Sequence, residues 1–277
     1  AVKRIEPPSE SAPAVCILYT GINRQHPLLS IALNEGHVLA CNPGWDPSDR
    51  DGHGTGMAGI ALYGCLTELF TAEDHLRLEH RLESVTILPD HGQNEPENYG
   101  AITAEAIGRV EVLSPTRSRT ICMAVTGDRC EEGLPTSWSA EIDQLSSGVH
   151  DDRRRLIVVS AGNIREELTA EDYPSRNHLE GIEDPGQAWN ALTVGAYTEK
   201  IHIGSSDFDG YSPIGHKGKL CPTSRTSISW ERKEWPLKPD IVLEGGNTAA
   251  EEAGGPGSFI DDLSLLTTRV SPTGALL

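Results

Sequence analysis

Short apolar runs rich in β-branched residues alternate along this chain with longer stretches whose apolar residues recur at helical spacing. That alternation is the feature that most restricts its fold. A strand that reads apolar throughout is buried on both faces, so the pattern predicts a parallel sheet covered by helices on each side. Val15-Cys16-Ile17-Leu18, Val85-Thr86-Ile87-Leu88, Ile121-Cys122-Met123-Ala124-Val125 and Leu156-Ile157-Val158-Val159 are strand candidates. Ala191-Leu192-Thr193-Val194 and Ile241-Val242-Leu243 follow later. Residues 101–112 and 139–145 carry the helical spacing, and 56–66 is apolar nearly all round, as a buried helix would be. Residues 173–184 and 202–236 lack periodic runs and read as long surface connections. With 277 residues and no repeat or composition break, a single α/β domain over 1–277 is expected.

Charge narrows the partners. Forty-one acidic against 23 basic side chains give a net charge of -18, which repels phosphate backbones, so nucleic acid is not expected as a partner. No apolar run approaches the ~20 residues of a spanning helix, and no membrane partner is expected. The opening residues lack the apolar stretch of a secretory signal. Cys16, Cys41, Cys65, Cys122, Cys130 and Cys221 are scattered without C-x-x-C spacing, and they read as reduced thiols of a cytoplasmic protein. The acidic surplus suits calcium, but no D-x-D-x-D-G loop occurs, so no cofactor and no metal site is assigned.

Chemistry concentrates in Asp51-Gly52-His53-Gly54-Thr55-Gly56-Met57-Ala58-Gly59. Gly54-x-Gly56-x-x-Gly59 fits a dinucleotide fingerprint, but that motif needs a strand running directly into it, and here a polar loop, 42–50, precedes it. An imidazole at a loop-to-helix junction is instead well placed as a general base. His53-Gly54-Thr55-Gly56-Met57-Ala58-Gly59 resembles the H-G-T-x-x-A-G segment of the subtilisin-like serine proteases. Ser160-Ala161-Gly162-Asn163, after a strand, is similar to that family's S-A-G-N. Lys238-Pro239-Asp240-Ile241-Val242 and Asn190-Ala191-Leu192-Thr193-Val194-Gly195-Ala196 resemble two more of its segments.

The resemblance implies a three-layer, mostly parallel sheet with helices on both faces and a cleft at the strands' carboxyl ends. It implies peptide-bond hydrolysis through an acyl-enzyme, with His53 as base and then acid and the Asn163 amide stabilising the oxyanion. The strand Met123-Ala124-Val125 would hold the backbone of a peptide or protein substrate. The reading depends on His53 and Asn163 serving one crevice.

Two departures stand out. The family's triad aspartate lies in D-T-G ahead of a histidine-proline pair, whereas this chain has Tyr19-Thr20-Gly21 ahead of His26-Pro27. Tyr19 therefore holds the place of the carboxylate that would orient the imidazole and stabilise its charged form. Asp49 and Asp51 are near in sequence, but Asp51 reads as a helix-start acceptor. Furthermore, no G-T-S-x-A nucleophile segment follows Val242, and Ser258, Ser264 and Ser271 are candidates by position only. The domain thus reads as truncated before its nucleophile, and as inactive or nearly so in this form. The rival expectation is a pseudoprotease that binds extended peptide without chemistry.

Overall fold

The computed structural model describes residues 2–127, 133–165, 168–231, 236–251 and 254–270, which leaves Cys130 and Ser271 outside the described residues. The chain divides into two compact units. The first combines residues up to Ala124 with Gln144–Val158 and the stretch starting at Leu266; the second holds Val125–Asp143 and Val159–Leu265.

The first unit contains β1 (Ile5–Glu6), β2 (Ala14–Tyr19), β3 (Val38–Ala40), α1 (His53–Tyr63), α2 (Leu66–Thr71), β4 (Leu76–Arg77), β5 (Arg81–Thr86), α3 (Tyr99–Leu113) and β6 (Arg119–Met123). β1 and β4 form a two-residue parallel pair. The other four strands run parallel in the order β3-β5-β2-β6, with Leu18 between Val85 and Met123. The pleat sends Val15, Ile17 and Tyr19 to one face, where they pack with Leu82, Ala58, Leu62 and Leu66 of β5, α1 and α2. Cys16 and Leu18, fully buried, face the other way, and α3 packs across β2 and β5. Helices on both faces account for strands that are apolar throughout.

Three boundaries differ from expectation for identifiable reasons. The predicted helix 56–66 is two helices, because Gly64 adopts a φ of +64° and ends α1 before α2 begins. β5 starts at Arg81 rather than Val85, since the polar residues Glu83 and Ser84 are buried inside it. β6 stops at Met123, so Ala124 and Val125 lie beyond the strand.

Glu83 shows how a carboxylate survives in a sheet. Its side chain accepts from Arg119 Nε at 2.9 Å and Nη2 at 3.1 Å, with Arg117 Nε 3.4 Å away. Arg119 also donates to the Val110 and Ser114 carbonyls at the end of α3, which caps the helix with positive charge. The pair spans β2 and ties β5, β6 and α3 together.

α4 (Ser137–Ser147) and β7 (Leu156–Ser160) follow, and the second unit continues with α5 (Ser175–Leu179), β8 (Leu192–Thr198), β9 (Tyr211–Pro213), β10 (Lys219–Leu220), β11 (Ile241–Glu244), β12 (Thr248–Glu251) and β13 (Ser258–Phe259). β8 pairs parallel with β11 and antiparallel with β10; β13, β12 and β9 make a small antiparallel sheet. The Lys-Pro-Asp run joins β8 to β11. Lys238 Nζ, buried, donates to Ala191 O at 3.1 Å and Asp240 Oδ2 at 2.7 Å, while the same carboxylate accepts from Thr193 N.

The two expected surface connections are in part interior. Asn177, fully buried in α5, donates to the carbonyls of Cys221, Pro222 and Ser224, so each connection holds the other. A buried polar group stabilises an irregular segment when it satisfies main-chain acceptors, and hydropathy does not register that. The Gly254-Gly255-Pro256-Gly257 loop is likewise anchored, with Gly257 N donating to Leu168 O at 2.6 Å.

Among the described residues no helix is long and apolar enough to cross a membrane.

Glu83→Ala leaves the buried Arg119 guanidinium without its carboxylate and should cost about 3–5 kcal/mol in urea denaturation. A loss below ~1 kcal/mol would show that the ion pair does not hold this sheet together.

Candidate active site

Helix α1 begins where three segments meet, and close backbone approach explains its glycines. Gly21, just past β2, has a φ of +107°, and a Cβ there would run into the Pro47 carbonyl. A Cβ on Gly54 would in turn run into Gly21 O. Thr55, fully buried, links the same parts: its hydroxyl accepts from Asn23 N at 3.0 Å and donates to Asp49 Oδ2 at 2.5 Å.

Asp49 is the acceptor that starts the helix. Oδ2 also accepts from Thr55 N at 2.7 Å, and Oδ1 from Gly52 N at 3.1 Å and Thr20 Oγ1 at 3.0 Å. With Gly52 in the left-handed region at the N-cap, no cap side chain is available, and Asp49 supplies one from three residues upstream. Asp51 acts as the helix-start acceptor read from the sequence, taking His53 N at 2.9 Å and Thr20 Oγ1 at 3.2 Å on Oδ1. Both carboxylates serve main-chain amides and Thr20.

His53 is the first residue of α1 and is exposed. Tyr19, the last residue of β2 and half-buried, lies against it, with ring centroids 4.5 Å apart and planes tilted 41°. The structure thus brings together the two residues that the sequence pairs as base and altered orienting group. The contact is between ring systems.

Two threonines hold the side of the helix. Thr267 Oγ1 donates to Gly56 O at 2.7 Å and Thr268 Oγ1 to Thr55 O at 2.6 Å, while Leu66 N donates to Leu266 O. A Cβ on Gly59 would stand 2.5 Å from Thr267 Oγ1, so this glycine makes room for the strap.

Asn163 belongs to the second unit and is exposed. Its main chain is fixed: it forms a bridge with Ser224, the next amide, Ile164 N, donates to Thr223 O at 2.9 Å, and Arg225 Nε donates to Asn163 O at 2.9 Å. Gly162 before it has a φ of +90°, and a Cβ there would stand 2.5 Å from Glu183 Oε2. Glu183 and Arg225 were not legible as site residues, since both lie in stretches read as surface loop.

Met123 is buried and turns its side chain into the core; Ala124 and Val125 beyond it are half-buried. Ser258 lies in β13 and Ser264 donates Oγ–H to Ile260 O, so neither stands at the start of a helix. Among the described residues no group of three or more His, Cys, Asp or Glu side chains is placed to hold a metal ion.

Asp49→Ala strips the acceptor from the Gly52 and Thr55 amides and should lower unfolding stability by about 2–4 kcal/mol, with Asp51→Ala costing under ~1 kcal/mol. Equal losses in urea titrations would remove Asp49 from this role.

No curated protein sequence gives a significant match. Among solved structures, a psychrophilic protease described as S41 is 19% identical, with a TM-score of 0.52, covering 94% of this chain and 75% of that one. Sphericase matches at 19% identity and a TM-score of 0.51, over the same shares. An epidermin leader peptide processing serine protease of Staphylococcus aureus matches at 16% identity and a TM-score of 0.50, covering 87% of this chain and 53% of that one. At such identities the likeness is one of fold, a mostly parallel sheet with helices. The family model for subtilases matches residues 10–275, nearly the whole chain, and the protein belongs to the subtilase family of serine-type peptidases.

Proposed function

We propose that this chain is a subtilisin-like serine endopeptidase domain whose orienting carboxylate has been replaced by Tyr19, and that in this form it hydrolyses peptide bonds very poorly. In the full reaction a serine attacks the scissile carbonyl and forms an acyl-enzyme. His53 takes the serine proton and returns it to the leaving amine, and Asn163 donates to the oxyanion through its side-chain amide.

The observation that carries this reading is the Tyr19 ring against the His53 ring. Tyr19 ends its strand beside the base, where the orienting group belongs, but a phenol carries no charge at neutral pH. It leaves an imidazolium uncompensated. In subtilisin itself, loss of the aspartate alone lowers turnover by ~3 × 10⁴. The hydrogen bonds of Asp49 and Asp51 to the start of α1 support the absence of a substitute carboxylate.

Gly-Thr-Ser does not occur in these 277 residues. The chain should therefore take up no stoichiometric label from a fluorophosphonate probe; full incorporation at Ser258, Ser264 or Ser271 would refute the reading. Replacing Tyr19 with Asp removes the ring from His53, and the His53 ring-proton resonances should move downfield. Unmoved resonances would mean that the two rings do not meet in solution.

The substrate is read as a peptide or protein, and the place of action as a reducing compartment such as the cytoplasm. Cys16, Cys41, Cys65, Cys122 and Cys221 are thiols, which supports that placement. Burial pushes the Cys41 and Cys122 thiols up to about 11, which leaves them poorly reactive. Alkylation of the native chain near pH 8, mapped by mass spectrometry, should modify Cys65 well before Cys16, Cys41, Cys122 and Cys221. Early loss of Cys41 would contradict its buried setting.

A further inference from the structure

Beneath the Asn163 turn lies an ion cluster that belongs entirely to the second unit. Arg225, 9% exposed, addresses four acceptors with one planar guanidinium. Nε donates to Asn163 O at 2.9 Å; Nη1 donates to Glu180 Oε2 at 3.0 Å and Gly181 O at 3.1 Å; Nη2 lies 3.2 Å from Glu183 Oε1. Glu183, 4% exposed, uses its other oxygen to accept from Thr126 Oγ1 at 2.6 Å, with Arg165 Nη2 at 3.5 Å. Thr126 directly follows the Met123-Ala124-Val125 segment. One buried carboxylate thus joins the residue after the substrate-strand candidate to the guanidinium that holds Asn163.

An oxyanion donor stabilises a transition state only when it is already aimed, because any reorganisation during the reaction subtracts from the gain. The Asn163 side chain is exposed, so its aim depends chiefly on its main chain. Hydrogen bonds to charged donors are the stronger kind, and a buried guanidinium does not leave its partners without stranding its charge. Lysine in the same place would present a point charge with no fork, and could serve Glu180 or Glu183 without also reaching the Asn163 carbonyl.

We propose that Arg225 is a positioning residue for Asn163, and that Glu183 couples that turn to Thr126 within the second unit. The proposal rests on the reading of Asn163 as the oxyanion donor.

The test uses the whole ¹⁵N-labelled chain and the variants Arg225→Lys, Arg225→Ala and Glu183→Gln, with amide exchange and side-chain amide spectra as readouts. In Arg225→Ala the Ile164 amide should exchange about tenfold faster or more, and the Asn163 side-chain amide signals should shift. Meanwhile the Ile214 amide, bonded to Thr248 O elsewhere in the unit, should stay within about twofold of its starting rate. Arg225→Lys keeps the charge and should unfold at nearly the wild-type temperature while retaining the faster Ile164 exchange. Glu183→Gln should move the Thr126 and Asn163 signals together.

A purely structural role predicts instead that Ile164 and Ile214 accelerate in step, and that outcome would overturn the proposal. So would unmoved Asn163 signals in Arg225→Lys and Glu183→Gln, which also decide the matter should Arg225→Ala fail to fold. Fluorophosphonate labelling of the wild-type chain would sink the functional reading and leave these spectra standing, so the two failures are distinguishable.

Discussion

The amides that open α1 have no partners within the helix; the Asp49 carboxylate satisfies those of Gly52 and Thr55, and Asp51 that of His53. Much of the first unit's chemistry depends on the Asp49 carboxylate. By accepting from Gly52, Thr55 and Thr20 together, it draws the end of β2, the loop before the helix and the helix itself into one junction. The glycines at 21 and 54 follow from the closeness of that junction, and His53 is placed at the helix start as a result. Tyr19 reaches His53 because β2 ends at the same point. A carboxylate committed to four donors is a helix anchor and cannot also orient an imidazole.

Each unit contains a buried ion cluster, and the two do different things. Glu83 with Arg119 locks sheet to helix through regular structure: strand, strand and the carbonyl end of α3. Glu183 with Arg225 binds irregular segments to one another, where there is no ladder of main-chain hydrogen bonds to do it. In the second case the arginine takes over work that a sheet would otherwise perform. That explains how an exposed asparagine can sit on a turn whose backbone is nonetheless well anchored.

The α/β class was legible because strands buried on both faces are apolar throughout, as in Val15-Cys16-Ile17-Leu18 and Leu156-Ile157-Val158-Val159. The His53 segment was legible because close approach at Gly54, Thr55 and Gly59 leaves few acceptable side chains. Other features were hidden for physical reasons. Glu83, Ser84, Asn177, Glu183 and Arg225 are buried polar residues whose partners lie far along the chain, and nothing local marks them as interior. β5 was therefore begun too late, and 173–184 and 202–236 were read as surface. Ser258, a candidate by position only, pairs with Ala249 and is a strand residue. Asp49 was visible as a nearby carboxylate, while its role became apparent only once the left-handed Gly52 was seen to leave the helix without a cap of its own.

The strap of Thr267 and Thr268 across α1 has a consequence for how the molecule is made. The helix that carries His53 emerges from the ribosome some two hundred residues before the hydroxyls that brace its carbonyls. Until that late stretch exists, Gly56 and Gly59 present an open furrow, and the first unit is missing one of its walls. Domains tend to fold as units in order of synthesis. Here the helix that carries His53 waits for a segment some two hundred residues further along, so its bracing is the closing of a long loop rather than a local event.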